Sequence, residues 1–242
     1  MKDQVVLITG GARRVGATIA RAVHGAGARV LIHYRSSERE ARALADDLNA
    51  VRAGSAAIQS ADLLDTRQAP ALIDAAIRAF SRLDVLINNA SSFYPTPVGS
   101  ITEAQWDDLM GSNLKGPLFL SQAAAPYLKK SGGLIINMID IHASRPLKYH
   151  LLYCVAKAGL AMLTRSLARE LGPQVRVNGI APGPVLWPET PLEDDLKREI
   201  VAKTALKRIG SPDDIARTVL FLAGNAPYIT GQIIAVDGGR SI

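Results

Sequence analysis

Short runs of β-branched and aliphatic residues alternate along the chain with longer stretches in which alanine and leucine recur at helical spacing. The short runs occupy residues 4–9, 29–33, 56–60, 84–87, 134–138, 174–180 and 232–236, and most are apolar at consecutive positions. A strand covered on both faces reads that way, whereas a half-exposed strand alternates. The longer stretches, 14–26, 37–51, 66–81, 102–109, 114–130, 150–171 and 212–223, have helical length. Strand and helix in turn, seven times over, predict a single α/β domain spanning residues 1–242. Its expected core is a doubly wound parallel sheet of about seven strands with helices on both faces. Helix starts carry their own signals. Thr102 with Gln105 has capping-box spacing, and Ser211 precedes Pro212, Asp213 and Asp214 as a cap precedes an acidic first turn.

Two segments break the alternation. Residues 181–190 read APGPVLWPET, with prolines at 182, 184 and 188, and precede a polar helical stretch at 192–203. An irregular insert after a late strand lies where ligands bind in such sheets, so a substrate loop is expected near 183–207. Residues 150–171 form the second exception. Leu151, Leu152, Val155, Leu160, Met162, Leu163, Leu167 and Leu171 surround the helix, which leaves no clear polar face. The sheet covers one side only, so a second subunit is expected on the other and the chain is expected to be a homo-oligomer.

Composition narrows the function classes. Of 242 residues, 48% are hydrophobic and 21% charged, which excludes a disordered chain. Lysine and arginine outnumber the acids by 28 to 22, a net charge of +6, but acids intersperse them along the helical stretches and aromatics are only 5%. That pattern argues against a nucleic-acid partner and suits small anionic ligands such as nucleotide phosphates. No consecutive apolar run approaches the roughly 18 residues of a membrane span, and the opening residues do not resemble a secretory signal. Cys154 is the single cysteine, so no internal disulfide is expected and a reducing, cytoplasmic setting is the natural expectation. His24, His33, His142 and His150 lack metal-ligand spacing, and no metal is expected.

Two places carry candidate chemistry. The first strand runs into TGGARRVG, which sets Gly10 and Gly11 at a strand-to-helix turn and Gly16 in the helix that follows. Glycine permits the tight turn, and a helix N-terminus offers N–H groups and positive dipole to a pyrophosphate. The second strand ends in His33, Tyr34, Arg35, Ser36 and Ser37, with no acid before Glu38. An acid there would favour a free ribose 2′-hydroxyl. Arg35, two hydroxyls and nearby Arg13 instead suit a 2′-phosphate, which points to NADPH. The second place is Tyr153 with Lys157, spaced i, i+4 on one helix face. A lysine ammonium beside a phenol favours its ionised form and tunes it for proton transfer.

These motifs, with Asp62 after the third strand, Asn88–Asn89–Ala90, Asn113, Ala181–Pro182–Gly183 and VDGG near the end, occur in an order that resembles the short-chain dehydrogenase/reductase family across the whole chain. The resemblance implies a Rossmann domain, usually a homotetramer. It implies Asn113, Tyr153 and Lys157 as catalytic or proton-relay residues, Asp62 and Leu63 beside the adenine, and Asn89 and Ala90 along the cofactor. Val15, Pro182 and Gly183 join Gly10, Arg13, Arg14 and Gly16 as expected cofactor contacts. Three departures narrow it further: Arg14 where the family usually has glycine, Ser91 where glycine usually follows NNA, and Asp140 where it usually has a serine thirteen residues before the tyrosine. With NNASSFYPTP, they resemble the pteridine reductases, which implies a flat pterin or folate stacked on Phe93, its polar edge bonded by Ser91 and Asp140. Arg14 is expected to reach both cofactor and substrate, Asp140 to act with Tyr153 in protonation, and Leu147, Leu186 and Trp187 to wall the substrate. A 3-oxoacyl-carrier-protein-type carbonyl reductase of the same family, and a non-catalytic NADPH-binding sensor, are the alternatives. The segment after Gly183 lacks the threonine the family often places there.

Overall fold

The computed structural model describes residues 1–187 and 193–242. Residues 188–192 of the expected substrate loop lie outside the described residues, as does the first residue of the polar stretch expected from 192.

Seven parallel strands form one sheet in the order β3-β2-β1-β4-β5-β6-β7. They are β1 (Val5–Ile8), β2 (Arg29–Tyr34), β3 (Ala56–Ser60), β4 (Val85–Asn88), β5 (Leu134–Met138), β6 (Arg176–Pro182) and β7 (Ile233–Val236). Among the described residues eight α-helices accompany them: α1 (Arg14–Gly25), α2 (Glu38–Val51), α3 (Ala69–Phe80), α4 (Glu103–Met110), α5 (Gly116–Ser131), α6 (Leu151–Leu171), α7 (Asp194–Ala202) and α8 (Pro212–Gly224). This is the doubly wound architecture that the alternating pattern predicts.

Side chains of a strand point alternately to its two faces, so β1 feeds two cores. Val6 and Ile8 pack with Ile19 and Val23 of α1, Leu44 and Leu48 of α2, and Ile215, Val219 and Leu222 of α8. Val5 and Leu7 pack on the other side with Leu72 and Ile73 of α3, Leu120 and Leu128 of α5, and Leu171 of α6. Each fully buried aliphatic side chain is worth about 1.5–3 kcal/mol, which is why consecutive apolar residues are retained. The predicted capping box is present: the Gln105 N–H donates to Thr102 Oγ1 (3.3 Å) and the Thr102 N–H to Gln105 Oε1 (3.0 Å).

The structure adds one irregularity. Between α4 and α5 the backbone makes a π turn, Gly111–Lys115. Such turns reset the direction of a helix and recur at functional sites; this one carries Asn113. By length and composition α6 is apolar enough to cross a membrane, yet half of that stretch is buried inside the fold, as in a core helix.

Candidate active site

The strand order reverses between β1 and β4, and a crevice opens beyond the carboxyl ends of strands at such a point. A cleft of about 470 Å³ lies there, lined by Gly10, Arg13, Arg14, Val15, Gly16, His33, Tyr34, Arg35, Ser36, Ser37, Asp62, Leu63, Asn89, Ala90 and Ser91. The structure thus gathers nearly all the expected cofactor contacts. Ala12, Ala61, Leu64, Ser92 and Ser112 line it as well; being small or apolar, they carry no chemical signal of their own in the sequence.

The turn at its base is locked from β4. The Thr9 hydroxyl oxygen accepts from the Asn89 and Ala90 N–H groups (2.9 and 3.0 Å), and the Asn89 amide donates to Thr9 O (2.9 Å) and Gly10 O (3.1 Å). Gly10 has φ +58°. A Cβ on Gly16 would stand 2.3 Å from Gly10 O and 2.8 Å from Asn89 Nδ2, so the cradle admits only glycine. Arg14 holds φ +52°, a left-handed conformation in which a side chain costs about 1–3 kcal/mol. Its Nη2 donates to Trp187 O (3.1 Å), joining the turn to the segment after β6. A helix N-terminus, a glycine cradle and three arginines fit the phosphates of a dinucleotide.

Pro182 and Gly183 lie at the end of β6 and do not line the cleft. A Cβ on Gly183 would meet Asp237 Cβ at 2.7 Å, so close packing against the VDGG segment accounts for that glycine. Leu186 is 38% exposed. Leu147 packs with Tyr94, Leu152, Tyr153 and Cys154.

At the far end stand Tyr153 and Asp140. The Tyr153 hydroxyl donates to Asp140 Oδ2 (2.8 Å), while Asp140 Oδ1 accepts the His142 N–H (2.8 Å) and caps a 3₁₀ turn, Ile141–Ala143. One carboxylate thus both caps and orients. Lys157 Nζ is buried, donates to Met138 O (2.8 Å) and lies 5.5 Å from the Tyr153 ring. The i, i+4 spacing points to a phenol eased toward ionisation. The structure gives the opposite sign: burial first, then the Asp140 charge, hold the Tyr153 phenol well above its ordinary range. Protonated Tyr153 is a proton donor.

Asn113 does not touch these groups by any hydrogen bond of its own. Its amide reaches Ser92 O (2.9 Å), Leu109 O (3.0 Å) and Ser112 Oγ (3.2 Å), and its Oδ1 accepts from Ser91 Oγ (2.7 Å). It therefore stitches the Ser91–Ser92 segment to the π turn. Phe93 is 52% exposed, meets Tyr153 edge-on (4.8 Å between centroids, 77°), and stacks on His150 (4.6 Å, 13°). His150 stands three residues before Tyr153, the position from which the sequence suggests it lines the site.

Residues 10–241 match the family described as enoyl-(acyl carrier protein) reductase. The chain belongs to the short-chain dehydrogenase/reductase family. Such a protein is an NAD(P)-dependent oxidoreductase. The chain is 37% identical to pteridine reductase 1 of Leishmania tarentolae, covering 98% of this chain and 96% of that protein. It is also 37% identical to a 3-oxoacyl-(acyl-carrier-protein) reductase of Staphylococcus aureus, covering 96% of each. Overall identity does not separate the two substrate classes, so the residues at the site must.

Within this short-chain reductase Lys157 titrates in an accessible range. Burial lowers its pKa to about 8, with Asp140 pulling the other way. With Tyr153 as the proton donor, the ammonium would offset the resulting phenolate below that pH and not above it. The expected result is a kcat that falls as pH rises through about 8. A kcat profile from pH 6.5 to 9.5 checks it, and in Lys157→Met the same limb should be absent and kcat low throughout.

Proposed function

We propose that this protein is an NADPH-dependent pteridine reductase acting on dihydropterins, and on folates that share the bicyclic ring. The observation that carries the reading is the 2.8 Å bond from the Tyr153 hydroxyl to the Asp140 carboxylate. A carbonyl oxygen is polarised by hydroxyl donors; a carboxylate beside the phenol repels it. A pterin presents ring N–H groups for a carboxylate to accept, and a ring nitrogen for the phenol to protonate. When bound, the reduced nicotinamide supplies the hydride. Tyr153, held protonated, supplies the proton. Asp140 fixes the phenol and accepts from the pterin edge, with the Ser91 hydroxyl beside it. Phe93 offers a ring face at the mouth, and stacking there adds about 0.5–1.5 kcal/mol beyond burial.

The test compares NADPH oxidation with dihydrobiopterin or dihydrofolate against acetoacetyl thioester. The reading expects turnover of the reduced pterins; turnover of the thioester alone overturns it and favours a carbonyl reductase.

NADPH over NADH is supported by Arg35, Ser36, Ser37 and Arg13, which line the cleft together. Arg35→Asp should raise the KM for NADPH at least tenfold and leave that for NADH nearly unchanged; equal losses in initial-rate measurements would place Arg35 away from the 2′-phosphate.

We also infer a homo-oligomer, with a tetramer as the expected state. Leu151, Val155 and Met162 of α6 are 42%, 46% and 59% exposed, and Leu118 and Phe119 of α5 are each 36% exposed. Val155→Lys with Met162→Lys should release single chains in light scattering; an unchanged mass would move the interface elsewhere. Buried, unpaired Cys154 suits a reducing, cytoplasmic setting.

A further inference from the structure

His33, at the end of β2, is 2% exposed and holds two loops of the cleft at once. Its Nδ1 accepts the Gly10 N–H (3.1 Å), and its Nε2 stands 3.0 Å from Ala61 O. Gly10 begins the glycine turn; Ala61 follows β3 and leads to Asp62 and Leu63. The backbone repeats the connection, with the Gly11 N–H donating to His33 O (2.9 Å) and the Ala61 N–H to Tyr34 O (3.1 Å).

The partners dictate the ring's state. A nitrogen that accepts from an N–H carries no proton, and a nitrogen facing a carbonyl must donate. Only the neutral imidazole with its proton on Nε2 satisfies both. An imidazolium would set one N–H against the Gly10 N–H and leave that buried donor without an acceptor.

We propose that His33 is a positioning residue for the dinucleotide: its neutral ring clasps the glycine turn to the loop after β3, and protonation opens the clasp and weakens cofactor binding. His33 acts through Gly10 and does not depend on which substrate is reduced. The charged and titratable groups around the same cleft are Asp62 after β3, Arg13 and Arg14 on the glycine turn, Tyr34 at the end of its own strand and Arg35 just past it. Burial lowers the ring's pKa, and the Ala61 carbonyl and the Asp62 charge act against it. The clasp therefore stays closed at neutral pH and opens on the acid side of an ordinary histidine.

Binding and protonation are reciprocal, so a cofactor that prefers the neutral ring must lower its pKa further. The test is an NMR titration of protein carrying ¹⁵N-labelled histidine, with and without NADP⁺. The expected result is an Nε2–H tautomer for His33 at pH 8 and a midpoint at least one pH unit lower when NADP⁺ is bound. An Nδ1–H tautomer, or a midpoint that NADP⁺ leaves unmoved or raises, would overturn the proposal. His33→Asn keeps an acceptor for Gly10 but cannot titrate. Between pH 8 and 5.5 its Kd for NADP⁺ should change at least fivefold less than that of the wild type. The 2′-phosphate titrates equally in both, so equal pH dependences would also contradict the proposal. If His33→Asn does not fold, the wild-type titration decides alone.

Discussion

Replacing Tyr153 by phenylalanine is expected to cut kcat by at least a thousandfold and leave the Kd for NADPH within about twofold. General acid catalysis contributes on the order of 10²–10⁴-fold. The ring stays, so the edge-on contact with Phe93 is kept, and what is lost is the hydroxyl with its bonds to Asp140 and Ser91. Stopped-flow reduction and a fluorescence titration of NADPH measure the two quantities separately. A parallel loss of binding would mean that Tyr153 supports the cofactor rather than the proton transfer. Unchanged kcat would remove Tyr153 from the chemistry.

Asp140→Asn should lower kcat with a dihydropterin by about 10–100-fold. That range is the worth of one hydrogen bond to a charged group, about 1.5–3 kcal/mol. Loss of the negative charge also removes what holds the Lys157 pKa up against burial, so the alkaline limb near pH 8 should shift down in pH. Asp140→Ser restores the residue the family usually has there, and it should gain turnover of a 3-oxoacyl thioester as it loses that of the pterin. Asp140 also caps the Ile141–Ala143 turn, so thermal unfolding must show each variant folded before its rates are read. Both variants at wild-type pterin rates would leave Asp140 a capping residue only.

The sheet was readable from the chain because both faces of β1, β4 and β5 are buried and nearly every position there is apolar; the exceptions, Asn88 and Asn137, bond each other (2.8 Å). The glycine turn was readable too, since only glycine survives 2.3 Å from a carbonyl oxygen. Other features depend on three dimensions. The π turn at Gly111–Lys115 has no composition of its own, so Asn113 was recognisable by its place in a motif but not by its contacts. The sign of the Tyr153 shift follows from burial and from an acid thirteen residues away in sequence that lies 2.8 Å away in space. Lys157 four residues on is visible in the chain, yet it turns toward Met138 O. His33 reads as one more residue of a phosphate-binding run; its two ring contacts exist only once β1, β2 and β3 are side by side. Pro182 and Gly183 show the reverse case, a family motif whose glycine is explained by packing on Asp237.

Crystals grown with NADP⁺ and a diaminopteridine antifolate would show where the bicyclic ring sits. The account predicts the ring parallel to both the nicotinamide and Phe93, its polar edge on Asp140 and Ser91, and the Tyr153–Asp140 bond intact. A ligand bound away from Phe93, or an Asp140 carboxylate turned away from the phenol, would contradict it.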